Sequence, residues 1–134
     1  MKKSDVQQKY LEFQIISQQL SQLNQQVQMI DSKINELKLL EEGLDELNSM
    51  NTNQEILVPF GPGILVKASI KETKEVLMNV GANVVVKKTS AESKKFIEGQ
   101  VNELQAALEE TEHEIVSLSN SLKILKKEIQ SSDE

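Results

Sequence analysis

The residue types that perform chemistry are sparse in this 134-residue chain. It has no cysteine, and His113 is its single histidine. The neighbours Glu109, Glu110, Glu112 and Glu114 would be natural company for a metal ion or a general acid–base pair. One imidazole builds no dyad, however, and a metal centre needs several side chains converging on one point. These glutamates are spread along a rod rather than converging in a pocket, and form an acidic collar that favours solubility. The Gly61-Pro62-Gly63 run is no phosphate loop, because it lacks a Gly-Lys-Ser/Thr ending and a following helix. No nucleophile–base pair can be assembled. The sequence predicts a protein that is not an enzyme and that uses neither a cofactor nor a metal.

Composition narrows the classes further. The formal net charge is −6, with fifteen basic residues, all lysine, against twenty-one acids. A nucleic-acid partner calls for a basic surface and for arginine as the usual base-reading side chain, so none is expected. No run of about 18 apolar residues is present, which argues against a membrane span. Met1-Lys2-Lys3-Ser4-Asp5 leads into glutamine-rich sequence rather than an apolar signal core, and a cytoplasmic location is expected. Tyr10, Phe13, Phe60 and Phe96 are the only aromatic residues, too few for a compact enzyme core.

The elements that must position any working residue are of two kinds. Over 4–51 a helix is predicted to begin at a capping box, Ser4-Asp5-Val6-Gln7. From Phe13 the apolar residues Ile16, Leu20, Leu23, Val27, Ile30, Ile34 and Leu37 follow in alternating steps of three and four, a heptad seam. Leu40, Leu44 and Leu47 come next, and the short step from Leu37 to Leu40 predicts a stammer near Gly43. A second helix over 90–131 starts at another capping box, Thr89-Ser90-Ala91-Glu92. Its seam runs unbroken through Ile97, Val101, Leu104, Leu108, Thr111, Ile115, Leu118, Leu122, Leu125 and Ile129. Thr111 is its one polar member, and His113 falls on the outer face. The glutamines of the first helix, such as Gln18, Gln22 and Gln25, lie off its seam as a solvated face. Each helix would be a rod of roughly 60–70 Å at ~1.5 Å per residue, and similar seams predict antiparallel pairing within one chain.

Between the helices, 55–88 reads as two β-hairpins. Ile56-Leu57-Val58-Pro59-Phe60 and Ile64–Ile70 flank Gly61-Pro62-Gly63, and Val76–Val80 and Val84–Lys88 flank Gly81-Ala82-Asn83. Pro59 places its strand at an edge or its residue at a bulge. Lone hairpins are marginal in water, and open edges invite other chains. The segment is therefore the predicted assembly element, through Ile56, Val58, Phe60, Ile64, Val66, Ile70, Val76, Met78, Val80, Val84 and Val86. Lys87 and Lys88 are read as a solvated edge that blocks unwanted pairing. The fold class is α+β, with 1–134 as a single domain.

Helix, two hairpins, helix, at these lengths, resembles the alpha-class subunits of prefoldin, a co-chaperone. The motifs that carry the resemblance are Leu57-Val58-Pro59-Phe60, the glycine-rich turn to Gly63, Val66-Lys67-Ala68, and Val80-Gly81-Ala82-Asn83. The family usually has Val-Gly-x-Gly-Tyr-x-Val-Glu in the second hairpin. Here Asn83 stands for the second glycine, Val84 for the tyrosine and Lys87 for the glutamate. Beta-class subunits carry one hairpin, so two favour the alpha class. The resemblance implies hairpins that complete an intersubunit β-barrel in a hexamer of two alpha and four beta subunits. It also implies that the coiled-coil tips hold unfolded polypeptide and pass it to a group II chaperonin without ATP.

At those tips the apolar residues exceed what one seam needs. Tyr10, Leu11 and Ile15 lie off the Val6–Phe13 seam, and Ile124 lies off the Leu122–Leu125–Ile129 seam. Val6, Tyr10, Leu11, Phe13, Ile15, Ile124, Leu125 and Ile129 are accordingly the expected client contacts, acting by non-directional apolar burial. Two other readings stay open: a scaffolding coiled coil, and a prefoldin-like adaptor in a larger assembly.

Overall fold

The structure, a computed structural model, describes residues 3–132. Its elements follow in the order α1 (Lys3–Ser49), β1 (Glu55–Gly61), β2 (Ile64–Ser69), β3 (Glu75–Gly81), β4 (Val84–Thr89) and α2 (Ser90–Ser132). They form two compact units. One is built from the chain up to Ile34 and from Glu103 onward, the other from Asn35–Asn102.

In the first unit the two heptad seams meet. Phe13, Ile16, Leu20, Leu23, Val27 and Ile30 are half-buried and Ile34 is buried, at the spacing that puts them on one helix face. The facing residues are Leu104, Leu108, Thr111, Ile115, Leu118, Leu122, Leu125 and Ile129, with Thr111, Leu125 and Ile129 buried. Lys9 pairs with Glu128 at 3.0 Å, whereas Leu23 lines a groove with Glu114 and Leu118, so the helices run antiparallel. The Thr111 hydroxyl donates to the Ala107 carbonyl at 2.8 Å, which satisfies the one polar group in the seam. Ser4 lies within α1 rather than capping it, because the helix already includes Lys3; any cap falls outside the described residues.

The second unit joins the hairpins to the adjoining helical turns. Leu37, Leu44, Ile97 and Val101 form its buried core. The expected stammer at Leu40 is absent: Leu40 is 51% exposed, and the half-buried Glu41 continues the seam between Leu37 and Leu44. The step of three comes later, from Leu44 to the half-buried Leu47. A polar residue thus holds a position where apolar spacing alone points to its neighbour. Opposite, the α2 seam continues to the buried Ser93 and Ser90, whose small side chains suit close packing.

Short-range chemistry fixes the connections. Helix α1 ends at Ser49, two residues before the expected boundary, where the Ser49 hydroxyl donates to the Glu46 carbonyl at 2.8 Å. Asn53, at φ 69°, then turns the chain so that the Ile70 amide donates to the Gln54 carbonyl at 3.0 Å, extending the first hairpin. At the second helix the predicted cap forms, with the Glu92 amide donating to Thr89 Oγ1 at 3.1 Å. The Ser90 amide and hydroxyl donate to the Lys74 and Thr73 carbonyls at 2.8 and 3.2 Å, tying the base of the second hairpin to α2.

Candidate binding surfaces

Each hairpin is a separate two-stranded sheet. In the first, Val58 opposes Val66 and Ile56 opposes Ala68, so one face is wholly apolar and continues to Ile64. Pro59 itself pairs with Leu65, and the register shifts between Pro59 and Gly61, so the bulge falls at Phe60, one residue beyond the proline. Phe60 is 77% exposed. In the second, Val76 opposes Lys88, Met78 opposes Val86, and Gly81 opposes Val84, with Val80 in the bulge. Ala82 and Asn83 both take positive φ, 50° and 61°, as a two-residue turn of the primed type requires. Asn83 suits that conformation; Ala82 adopts it against its Cβ.

The predicted assembly residues divide by exposure. Val58, Phe60, Ile64, Val66, Val80 and Val84 are exposed, and Ile56, Ile70, Val76, Met78 and Val86 are half-buried. The opposite face of each hairpin is apolar too: Leu57 and Leu65 are exposed on the first and Leu77 and Val85 on the second, of which the sequence reading places only Leu65 there. Strict alternation along each strand was the signal for the others. Lys87 pairs with Glu75 at 3.5 Å on that face, and Lys88 sits 5.0 Å from the centre of the Phe96 ring, a cation–π contact between β4 and α2. Lys94 donates to Asp45 at 2.9 Å. That hydrogen bond and the Asp45 charge raise the Lys94 pKa above its usual value, with Glu98 and Glu41 adding to the effect.

At the helix ends of the first unit, the predicted client contacts also separate. Tyr10, Leu11, Ile15 and Ile124 are exposed, Ile124 by 60%; Val6 and Phe13 are half-buried; Leu125 and Ile129 are buried in the seam. Leu11, Phe13 and Ile15 line an open groove of about 640 Å³ with Gln14, Ser17 and Gln18. Its lining mixes apolar side chains with amides and hydroxyls.

The sequence profile described as "Prefoldin subunit" matches residues 16–133. The chain belongs to the prefoldin family. Two solved structures share its fold. A chain of a filamentous prefoldin from Methanocaldococcus jannaschii is 23% identical, with a TM-score of 0.76 over 86% of this chain and 95% of that one. The prefoldin beta subunit from Thermococcus strain KS-1 is 22% identical, with a TM-score of 0.63 over 96% of this chain and 91% of that one. No curated protein sequence matches.

Prefoldin is a chaperone family whose subunits assemble into oligomers, so a co-chaperone role follows for this chain in general terms. His113 is exposed on α2, as its heptad position requires, and among the described residues no group of His, Asp and Glu is arranged to hold a metal ion. No described helix is long and apolar enough to cross a membrane.

Proposed function

We propose that this chain is an alpha-class prefoldin subunit, acting as one domain in the cytoplasm. Its hairpins close a β-barrel with other subunits in a hexamer of two alpha and four beta chains. Its helix ends hold unfolded polypeptide and release it to a group II chaperonin without ATP. The observation that carries the class is the pair of complete hairpins in one chain, each with an apolar face and open edges. Client holding is supported by Tyr10, Leu11, Ile15 and Ile124, four large apolar side chains left in water on one short stretch of helix pair.

The test is native mass spectrometry of the complex captured from its own cells through a tag on this chain, paired with suppression of aggregation of a denatured client. The expected result is two copies of this chain with four of a smaller coiled-coil subunit, and fewer aggregates. A ladder of masses of this chain alone would replace the hexamer with a self-assembled polymer. A complex with folded partners and no suppression would favour the adaptor or scaffold.

A further inference from the structure

The helix ends of the first unit carry two grooves of opposite electrostatic character. One, of about 350 Å³, is lined by Asp5, Gln8, Lys9, Glu12, Leu125 and Glu128. Its lysine is already paired with Glu128, so its character is acidic. The other, of about 200 Å³, is lined by Tyr10, Phe13, Lys126, Ile129 and Gln130. Among the described lining residues the only ionic group is Lys126, which is exposed and makes no ion pair among the described residues. Lys123 and Lys127 flank the exposed Ile124 in the same stretch of α2 and are likewise unpaired among the described residues.

We infer that the Tyr10–Phe13–Lys126 groove selects unfolded segments in which a large apolar side chain stands beside a carboxylate. The inference rests on the client-holding reading above and adds a substrate class to it. The groove is smaller than the few hundred Å³ of a small-molecule site and suits a single leucine or phenylalanine side chain. With that side chain seated against Tyr10 and Phe13, a neighbouring Asp or Glu of an extended chain comes within reach of the Lys126 ammonium. A lysine in the same place would bring two cations together as the groove loses water. The net acidity of the whole chain points toward basic clients; the local charge at this groove points the other way. Local charge decides contact, because screening confines surface charges to about 8–10 Å at ordinary salt.

The experiment uses the purified full-length chain in the assembly it forms and two dye-labelled unstructured peptides. Both peptides carry the same leucines and phenylalanines, one interleaved with glutamate and the other with lysine, and binding is read by fluorescence anisotropy. The glutamate peptide should bind roughly two- to fivefold tighter at low salt, the range of one exposed ion pair, and the gap should close at high salt. Lys126→Glu should reverse the order, while Lys126→Gln should abolish it; unchanged helicity and assembly size verify that both variants fold. Equal binding of the two peptides overturns charge selection and leaves client holding standing. A glutamate preference that survives Lys126→Glu overturns the assignment to this groove. Failure of both peptides to bind removes client holding at the helix ends, and this inference with it.

Discussion

Replacing Leu40 and Leu44 by alanine, one at a time, separates two registers of the α1 seam. If the seam passes through Glu41, Leu44 is core and Leu40 is surface, as their exposures of 7% and 51% indicate. A buried Leu→Ala change costs about 2–5 kcal/mol, and a core only two helices thick can partly close over the gap, so about 2–3 kcal/mol is expected for Leu44→Ala. At Leu40 about half of the side chain already sits in water, and alanine returns a few tenths of a kcal/mol in helix propensity, leaving a cost of about 0.5 kcal/mol. For a chain of this size 1 kcal/mol moves the melting midpoint by about 3–6 °C. Thermal unfolding of the full chain, followed by far-ultraviolet circular dichroism at matched concentrations, should therefore lower Tm by on the order of 10 °C for Leu44→Ala and about 2 °C for Leu40→Ala. Glu41→Leu should raise stability by about 1 kcal/mol, because it puts an apolar side chain into a half-buried seam position. Equal losses at Leu40 and Leu44, or destabilisation by Glu41→Leu, would refute this register and restore a stammer at Leu40.

Three further outcomes follow from particular contacts. Ala82→Gly should stabilise the second hairpin by about 0.5–1 kcal/mol, since alanine at φ 50° carries a Cβ penalty that glycine lacks; slower amide exchange across β3 and β4 reports it, and unchanged exchange counts against the strained turn. Thr111→Val should be stabilising by about 0.5–1 kcal/mol in a denaturant titration, because the side chain stays β-branched and the Ala107 carbonyl, mid-helix, keeps its place in the backbone ladder. The raised pKa of Lys94 means the folded state holds that proton more tightly, so the contribution is complete below the unfolded lysine pKa and lost as pH rises through the folded one. Asp45→Asn should accordingly flatten the alkaline limb of stability against pH, and a limb that stays as steep would show that the pair contributes nothing there.

What the sequence made legible was whatever repeats with a fixed period. The α2 seam from Ile97 to Ile129 was readable residue by residue, because ten positions obey one rule and a single error would break the pattern. The α1 seam was readable as far as Leu37. Beyond it, apolar type and helical position part company: Leu39 and Leu40 are apolar but exposed, and Glu41 is charged but faces inward. A glutamate can line a seam with its methylenes while its carboxylate stays near the Lys94 charge, and spacing arguments that count only apolar residues miss it. The hairpins were legible as strands and turns, although the bulge expected at Pro59 falls one residue later, at Phe60. The conformation of Ala82 was not, because alanine carries no local signal for positive φ and the turn type is set by the register of the strands around it. At the helix ends, excess apolar residues were visible in sequence. The separation of an acidic groove from one rimmed by Lys126 depends on which α1 residues lie against which α2 residues, and only the antiparallel register supplies that.

The two sets of uncovered apolar residues differ in what can cover them. On the hairpins, apolar faces come with open strand edges, and an unpaired amide or carbonyl on an edge must find a directional partner if it is buried. Only another strand, held in one register, satisfies both needs at once, so covering these surfaces selects a specific neighbour and a closed stoichiometry. On the helices, every mid-helix backbone group is already bonded within its own ladder, and Tyr10, Leu11, Ile15 and Ile124 offer mainly apolar area with no strand edge beside it. Area without directional bonds fixes no register and releases a segment easily, since a few exposed side chains of about 1.5–3 kcal/mol each barely offset the cost of ordering a flexible chain. Several subunits held together through the hairpins would add such weak contacts into useful avidity. On the function proposed above, the partner choice of one surface makes the weak contacts of the other sufficient, and a chain that lost its hairpin contacts should then lose client holding without any change at Tyr10 or Ile124.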